Sequence, residues 1–196
     1  MLSVIIATSE SERALLATLA SLVGGAAAGA VREVIVVDAN SQDDTAQVGE
    51  VAGCLVLTSS GPLGARLKEG AAAARADWLL FMRPGAVLAN DWVEETSRFM
   101  TDAGEHNPQA GARAAVFRPA LPHGAQRPLL LDAWSLFQAA LRRWPRPDQG
   151  LLIAKDLYEA EGGHRAEDTD AEMELIRRIG RRRIVMLRNA SIRAPL

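Results

Sequence analysis

Unbroken apolar runs alternate with helix-period segments through the first half of the chain. Residues 2–7 (LSVIIA) are continuously apolar and rich in β-branched side chains, as expected of a strand covered on both faces. Ser9, Glu10, Ser11 and Glu12 then offer capping and first-turn acidic groups to a helix. That helix carries Leu15, Leu16, Leu19 and Leu22 at helical spacing and is expected to stop at Gly24-Gly25. A second apolar run at 33–38 (EVIVVD) completes a strand–helix–strand unit. The alternation recurs as a helix at 41–52, a strand at 54–57, an alanine-rich helix at 64–76 and a strand at 78–82 (WLLFM). It predicts an α/β fold, a Rossmann-like, mostly parallel sheet with right-handed crossovers, flanked by helices.

The pattern loosens after a helix at 91–102. A polar stretch at 104–111 precedes a strand at 114–118, an apolar helix at 129–141, a proline-rich turn at 144–147 and a helix from about 170 to 179. These segments are expected to pack around the second half of the sheet. The uncharged stretch 14–31 follows Glu10 and Glu12 where a signal would be basic, and Gly24-Gly25 interrupts it, so it reads as helix plus loop rather than a membrane span. A length of 196 residues suits one compact domain.

A formal charge of −2 gives no general pull toward nucleic acid or anionic lipid. The local run Arg177, Arg178, Arg181, Arg182 and Arg183 reads as a helix C-terminus complementing its dipole, followed by solvated turn residues. Cys54, the single cysteine, excludes an intramolecular disulfide, reads as a buried thiol and fits a reducing cytoplasm. His106, His123 and His164 are far apart and none stands at metal-ligand spacing from a carboxylate or cysteine.

In an open parallel sheet, ligands bind beyond the carboxyl ends of strands. Asp38 stands there with Asn40 and Ser41. Its carboxylate either holds the turn into the next helix or accepts hydrogen bonds from a nucleotide base or ribose. The loop at 59–64 opens a helix bearing Arg66 and Lys68, an arrangement that favours anions such as diphosphate and also occurs as a plain Gly/Pro turn. Glu167, Asp168, Asp170 and Glu172 cluster at the start of the last helix, where acids favour the dipole, Thr169 or Asp170 can cap, and Glu174 pairs with Arg178 four residues on. Glu172, however, begins the apolar stripe 172, 175, 176, 179, so its carboxylate is aimed inward. General-base chemistry is one reason for that; a buried hydrogen bond or ion pair is the other.

Together, residues 2–10 (LSVIIATSE), 33–45 (EVIVVDANSQDDT) and 64–81 (GARLKEGAAAARADWLLF) resemble the inverting family 2 glycosyltransferases, whose fold is called GT-A. Pro147-Asp148-Gln149-Gly150-Leu151 and Glu161-Gly162-Gly163-His164 resemble the acceptor-side segment of a short soluble branch associated with arsenosugar-type biosynthetic clusters. The resemblance implies one GT-A domain over 1–196, with a nucleotide-binding half at 1–103 and an acceptor-side half at 104–196. It further implies sugar transfer from a nucleotide-sugar to an acceptor hydroxyl with inversion. Thr8, Glu10 and Asp38 would contact the nucleotide, Arg66 and Lys68 would lie near its phosphates, and Asp148, Gln149 and Gly163 would face the acceptor. Glu172 takes the place of the catalytic base, with Asp170 beside it in the catalytic set.

Arg83-Pro84-Gly85 stands where the family usually has a DxD carboxylate pair, Ala39 replaces a second acid, and Lys68 replaces an asparagine. No metal ligands are therefore assigned and no cofactor is certain. A divalent ion, Mg or Mn, is left open but its usual carboxylates are missing, so the reaction is expected to be metal-independent or weakly metal-dependent. Arg83 would instead supply positive charge to the departing diphosphate. The implied partners are a nucleotide-sugar donor, an acceptor the sequence does not identify, and a second copy in a homodimer. The alternative is a noncatalytic descendant that keeps the nucleotide-binding fold.

Overall fold

The computed structural model describes residues 1–105, 113–120, 145–167 and 170–193. Its first half follows the expected alternation: β1 (Leu2–Thr8), α1 (Glu12–Ala27), β2 (Val31–Asp38), α2 (Thr45–Val51), β3 (Leu55–Thr58), α3 (Leu63–Ala73) and β4 (Trp78–Met82). After these come β5 (Val87–Leu88), α4 (Trp92–Glu105), β6 (Ala114–Pro119), a 3₁₀ turn (Pro147–Gln149), β7 (Leu151–Ala154), α5 (Lys155–Ala160), α6 (Ala171–Ile179) and β8 (Ile184–Arg193). The strands form one sheet in the order β3-β2-β1-β4-β7-β6-β8-β5. β1 to β4 run parallel to one another, whereas β7 is antiparallel to both β4 and β6.

Both faces of β1 are covered, which is why its run is almost wholly apolar; its buried Ser3 is satisfied by donating to Glu33 Oε1 at 2.7 Å. Leu2, Val4 and Ile6 pack with Leu15, Leu22 and Trp92 on one side. Ile5 packs with Leu67, Ala71, Leu175 and Ile179 on the other. Burial of each such side chain contributes about 1.5–3 kcal/mol, enough for this layered packing to hold the strand ends in place.

Several boundaries differ from expectation for local reasons. α1 runs past Gly24-Gly25 to Ala27. Gly25 is there for close approach, because a Cβ would lie 2.3 Å from the Trp92 ring. The helix ends instead at Gly29 (φ 69°), where the Ala30 amide donates to the Gly25 carbonyl and the Gly29 amide to Ala26. α2 begins at Thr45 rather than 41, since Asn40 is left-handed (φ 63°) and Ser41 is bonded back to Asp38. β8, preceded by the expected turn at Arg181–Arg183, is not among the elements the pattern predicts. Its register against β6 shifts between Val116 and Arg118, which breaks the period-two signature. The expected helix at 129–141, most of the polar stretch 104–111, Asp168, Thr169, His106 and His123 lie outside the described residues.

Candidate active site

Thr8 and Asp38 are the last residues of neighbouring strands and pair in register. The Thr8 hydroxyl donates to Asp38 Oδ1 at 2.8 Å, the Ser41 hydroxyl to the same oxygen at 2.7 Å, and the Ser41 amide to Oδ2 at 2.7 Å. Asp38 is 1% exposed. Both of its oxygens thus accept bonds within the protein and hold the turn into α2.

Glu10, in the left-handed region at φ 46°, ties the next loop to this turn. Its amide donates to Ser41 Oγ at 2.8 Å, and its carboxylate accepts the amides of Gln42 (2.8 Å) and Asp43 (3.2 Å). The start of α1 is capped from across the gap rather than by its own serines. The Ser11 amide donates to Thr45 Oγ1 at 2.8 Å and the Glu12 amide to Asp43 Oδ2 at 3.2 Å. The Thr45 hydroxyl bond holds the Asp43 carboxyl below its usual range, against a smaller opposing effect of burial.

A cleft of about 390 Å³ opens beyond β1 and β4, and Thr8, Glu10, Arg66, Arg83 and Glu172 share its walls with Leu63 and Pro84. Asp38 stands behind Thr8, off the wall. Arg66 Nη1 donates to the Thr8 carbonyl at 2.6 Å, while its Nε is buried with no hydrogen-bond partner among the described residues. Burial lowers the Arg66 pKa from its usual range, and the nearby Asp38 charge opposes this. Lys68 is exposed and lies outside the cleft, roughly 200° round α3 from Arg66.

Arg83 follows β4 in a turn pinned to α1 by the Gly85 amide, which donates to Thr18 Oγ1 (2.8 Å) and the Ala14 carbonyl (3.0 Å). Across the cleft, α6 buries Leu175, Ile176 and Ile179 and carries Glu172 inward to 8% exposure. Arg83 Nε donates to Glu172 Oε2 at 2.9 Å, and Nη2 donates to the same oxygen. The inward carboxylate therefore has an ion-pair partner in the arginine that follows β4. That hydrogen bond raises the Arg83 pKa, burial opposes it, and the charges of Glu172, Asp148 and Asp170 add to the rise.

Asp148 and Asp170 are thus within electrostatic reach of Arg83. Asp148 Oδ1 is buried without a hydrogen bond and stands 3.5 Å from Arg146 Nε. Asp170 occupies the position before α6 but makes no side-chain cap bond.

Gln149 and Gly163 serve as braces away from the cleft wall. Gln149 accepts the Arg146 amide and donates to the Phe117 carbonyl, both at 2.8 Å. Gly163 (φ 66°) donates its amide to the Tyr158 carbonyl at 2.9 Å, and its own carbonyl accepts Arg178 Nη2 at 2.7 Å. Arg178 also pairs with Glu174, as expected, at 2.6 Å. His164 is buried against Phe81 and Tyr158, its Nδ1 3.0 Å from the Tyr158 hydroxyl. Burial, aided by the Arg178 charge, pushes its pKa down to about 3.

Sequence reading missed Gly64. A Cβ there would lie 2.0 Å from the Arg165 carbonyl and 2.9 Å from Ala171, so the glycine lets α3 abut α6 and brings Arg66 toward Glu172. Its only signal in the sequence was a glycine at a helix start, which the turn also explained.

A divalent ion would need several oxygen ligands free to converge. Here Arg83 stands after β4, Glu172 is bound to it, and Asp38 and Glu10 are bonded to hydroxyls and amides. The donor set does not fit such an ion, and no group of three or more potential ligands occurs among the described residues.

No helix among the described residues is long and apolar enough to cross a membrane. Comparison with curated proteins gives no match. Among solved structures, the chain is similar to S. aureus TarS residues 1–349, with a TM-score of 0.73, 17% identity, and coverage of 99% of this chain and 60% of that one. The same TarS fragment in complex with UDP gives 0.73 and 18%, covering 100% and 60%. Mycobacterium tuberculosis glucosyl-3-phosphoglycerate synthase in complex with Mn2+, UDP and glucosyl-3-phosphoglycerate gives 0.64 and 18%, covering 95% and 68%. The chain thus spans 60% of the TarS fragment. At these identities the likeness shows the fold, GT-A. The sequence also matches Glycosyl transferase family 2 over residues 3–144, most of its length, and the chain belongs to that family.

Proposed function

We propose that this protein transfers a sugar from a nucleotide-sugar to an acceptor hydroxyl, with inversion and without a divalent ion. The observation that carries the reading is the cleft beyond β1 and β4, where Arg66 and Arg83 face Glu172. In a single displacement the acceptor oxygen attacks the anomeric carbon as the bond to the diphosphate oxygen breaks opposite it, which inverts that centre. Glu172 takes the hydroxyl proton. Arg83 stabilises the negative charge that develops on the diphosphate, the service a metal gives in DxD enzymes, and Arg66 assists through its unpartnered Nε. The UDP complexes of TarS and the mycobacterial synthase make uridine donors the first to try.

The finer placement in the arsenosugar-type branch is supported by the segments at 147–151 and 161–164, and a single cysteine suits the cytoplasm. A noncatalytic nucleotide-binding role is favoured by one observation, the engagement of Glu172 by Arg83. Release of UDP from a panel of UDP-sugars, with chelator or manganese, separates the readings. Turnover in chelator that disappears in Arg83→Ala supports the proposal. Turnover that needs manganese overturns metal independence, and nucleotide binding without turnover across acceptors favours the noncatalytic role.

A further inference from the structure

We infer that Glu172 and the donor diphosphate compete for Arg83, so that donor binding releases the carboxylate for the acceptor. This rests on the nucleotide-sugar reading and adds an order of events to it. Two donors of Arg83 converge on one oxygen, Oε2, while Glu172 Oε1 carries no bond among the described residues. This differs from the fork in which two N–H groups meet two carboxylate oxygens, the geometry that commits an arginine most firmly.

The guanidinium is also placed to move. Its side chain is 41% exposed, against 11% for Glu172, and both line the open cleft with Arg66. Arg66 is anchored to the Thr8 carbonyl and presents a buried Nε that lacks an acceptor. An anion seated against Arg66 meets Arg83 from its open side. A diphosphate bears more charge than one carboxylate and accepts from both guanidinium groups at once, so it draws Arg83 away from Glu172.

Without donor, the carboxylate is held by its cation and cannot take a proton from an acceptor. With donor, the cation sits on the leaving group and the carboxylate stands free beside it. One side chain thereby couples occupancy of the donor site to exposure of the base, and the donor binds first.

Calorimetric titration with uridine diphosphate in chelator tests the exchange on the full chain, Glu172→Gln, Arg83→Ala and the double variant, each checked for folding by thermal melting. Glu172→Gln keeps the shape but removes the competing charge. It is expected to bind about threefold to tenfold more tightly than the unaltered chain. Arg83→Ala is expected to bind more weakly and to abolish the gain from Glu172→Gln. Equal affinity of Glu172→Gln and the unaltered chain, or the same gain in the Arg83→Ala background, overturns the exchange. Failure of the uridine, guanosine, thymidine and cytidine diphosphates alike to bind the unaltered chain instead overturns the nucleotide reading beneath it. The Arg83 Nε–H resonance provides a measurement without altering Glu172. It should move with uridine diphosphate and stay with uridine, and a resonance indifferent to both sinks the proposal.

Discussion

The loops after β1 and β2 and the turn after β4 occupy the same end of one sheet, yet their polar groups are organised oppositely. After β1 and β2, Thr8, Glu10, Asp38, Ser41 and Asp43 bond mainly to one another and to backbone amides, joining two loops into a fixed floor. After β4, one guanidinium is bonded to a single oxygen of Glu172 and attracted by Asp148 and Asp170. Around Asp38 the floor network is buried and satisfied, which rigidifies it because any rearrangement exposes an unpaired group, while the Glu10 bonds lie on its exposed rim. A half-exposed ion pair carries a smaller penalty for exchange. The floor is therefore built to stay and the Arg83 pair to respond.

The largest expected effect breaks the responsive side. Arg83→Ala should lower sugar transfer by about 10²–10³-fold, in the range found on removing one donor to a developing anion, with the thermal transition retained. Arg83→Lys should recover only part of it, and initial rates of UDP release measure both. On the fixed side, Asp38→Ala should cost about 2–4 kcal/mol of stability in urea unfolding, because it strands the Thr8 and Ser41 hydroxyls and the Ser41 amide. Gly64→Ala tests the junction between the two. With a carbonyl 2.0 Å from the new Cβ, it should cost about 1–3 kcal/mol and weaken uridine diphosphate binding as α3 moves away from α6.

His164, buried against Phe81 and Tyr158, has its own pH signature. His164 stays neutral in the folded chain down to about pH 3, whereas the unfolded chain protonates it near 6.5. Between those values the unfolded state binds the extra proton, so His164 lowers stability as pH falls and has no such effect above the window. His164→Gln should therefore show a shallower decline from pH 6 to 4, by about 1.4 kcal/mol per pH unit at most, in urea titrations at each pH. The smallest effect belongs to Lys68→Ala. This exposed side chain lies off the cleft, and its removal should change stability by less than about 0.5 kcal/mol and leave nucleotide affinity unaltered.

Some of this was legible in the residues themselves. The apolar runs of β1, β2 and β4 and the helices between them follow from a sheet covered on both faces, which leaves few polar positions to blur the pattern. The stripe through Leu175, Ile176 and Ile179 likewise determined that Glu172 points inward, since helical period alone sets that direction. That an arginine rather than a carboxylate follows β4 was also there to be read, as Arg83-Pro84-Gly85.

Tertiary structure decided what those residues do. Arg83 and Glu172 lie 89 positions apart, and no local pattern announces that one neutralises the other. Asp38 is silent for a similar reason: a carboxylate after a strand suits a ligand or a turn equally, until Thr8 from the neighbouring strand takes one of its oxygens. Gly25 reads as a break and Gly64 as a helix start, and both prove to be contact points, because close approach to Trp92 or to the Arg165 carbonyl depends on partners remote in sequence. Periodicity speaks for an element's own faces; which faces and side chains meet is settled by the packing of the whole sheet.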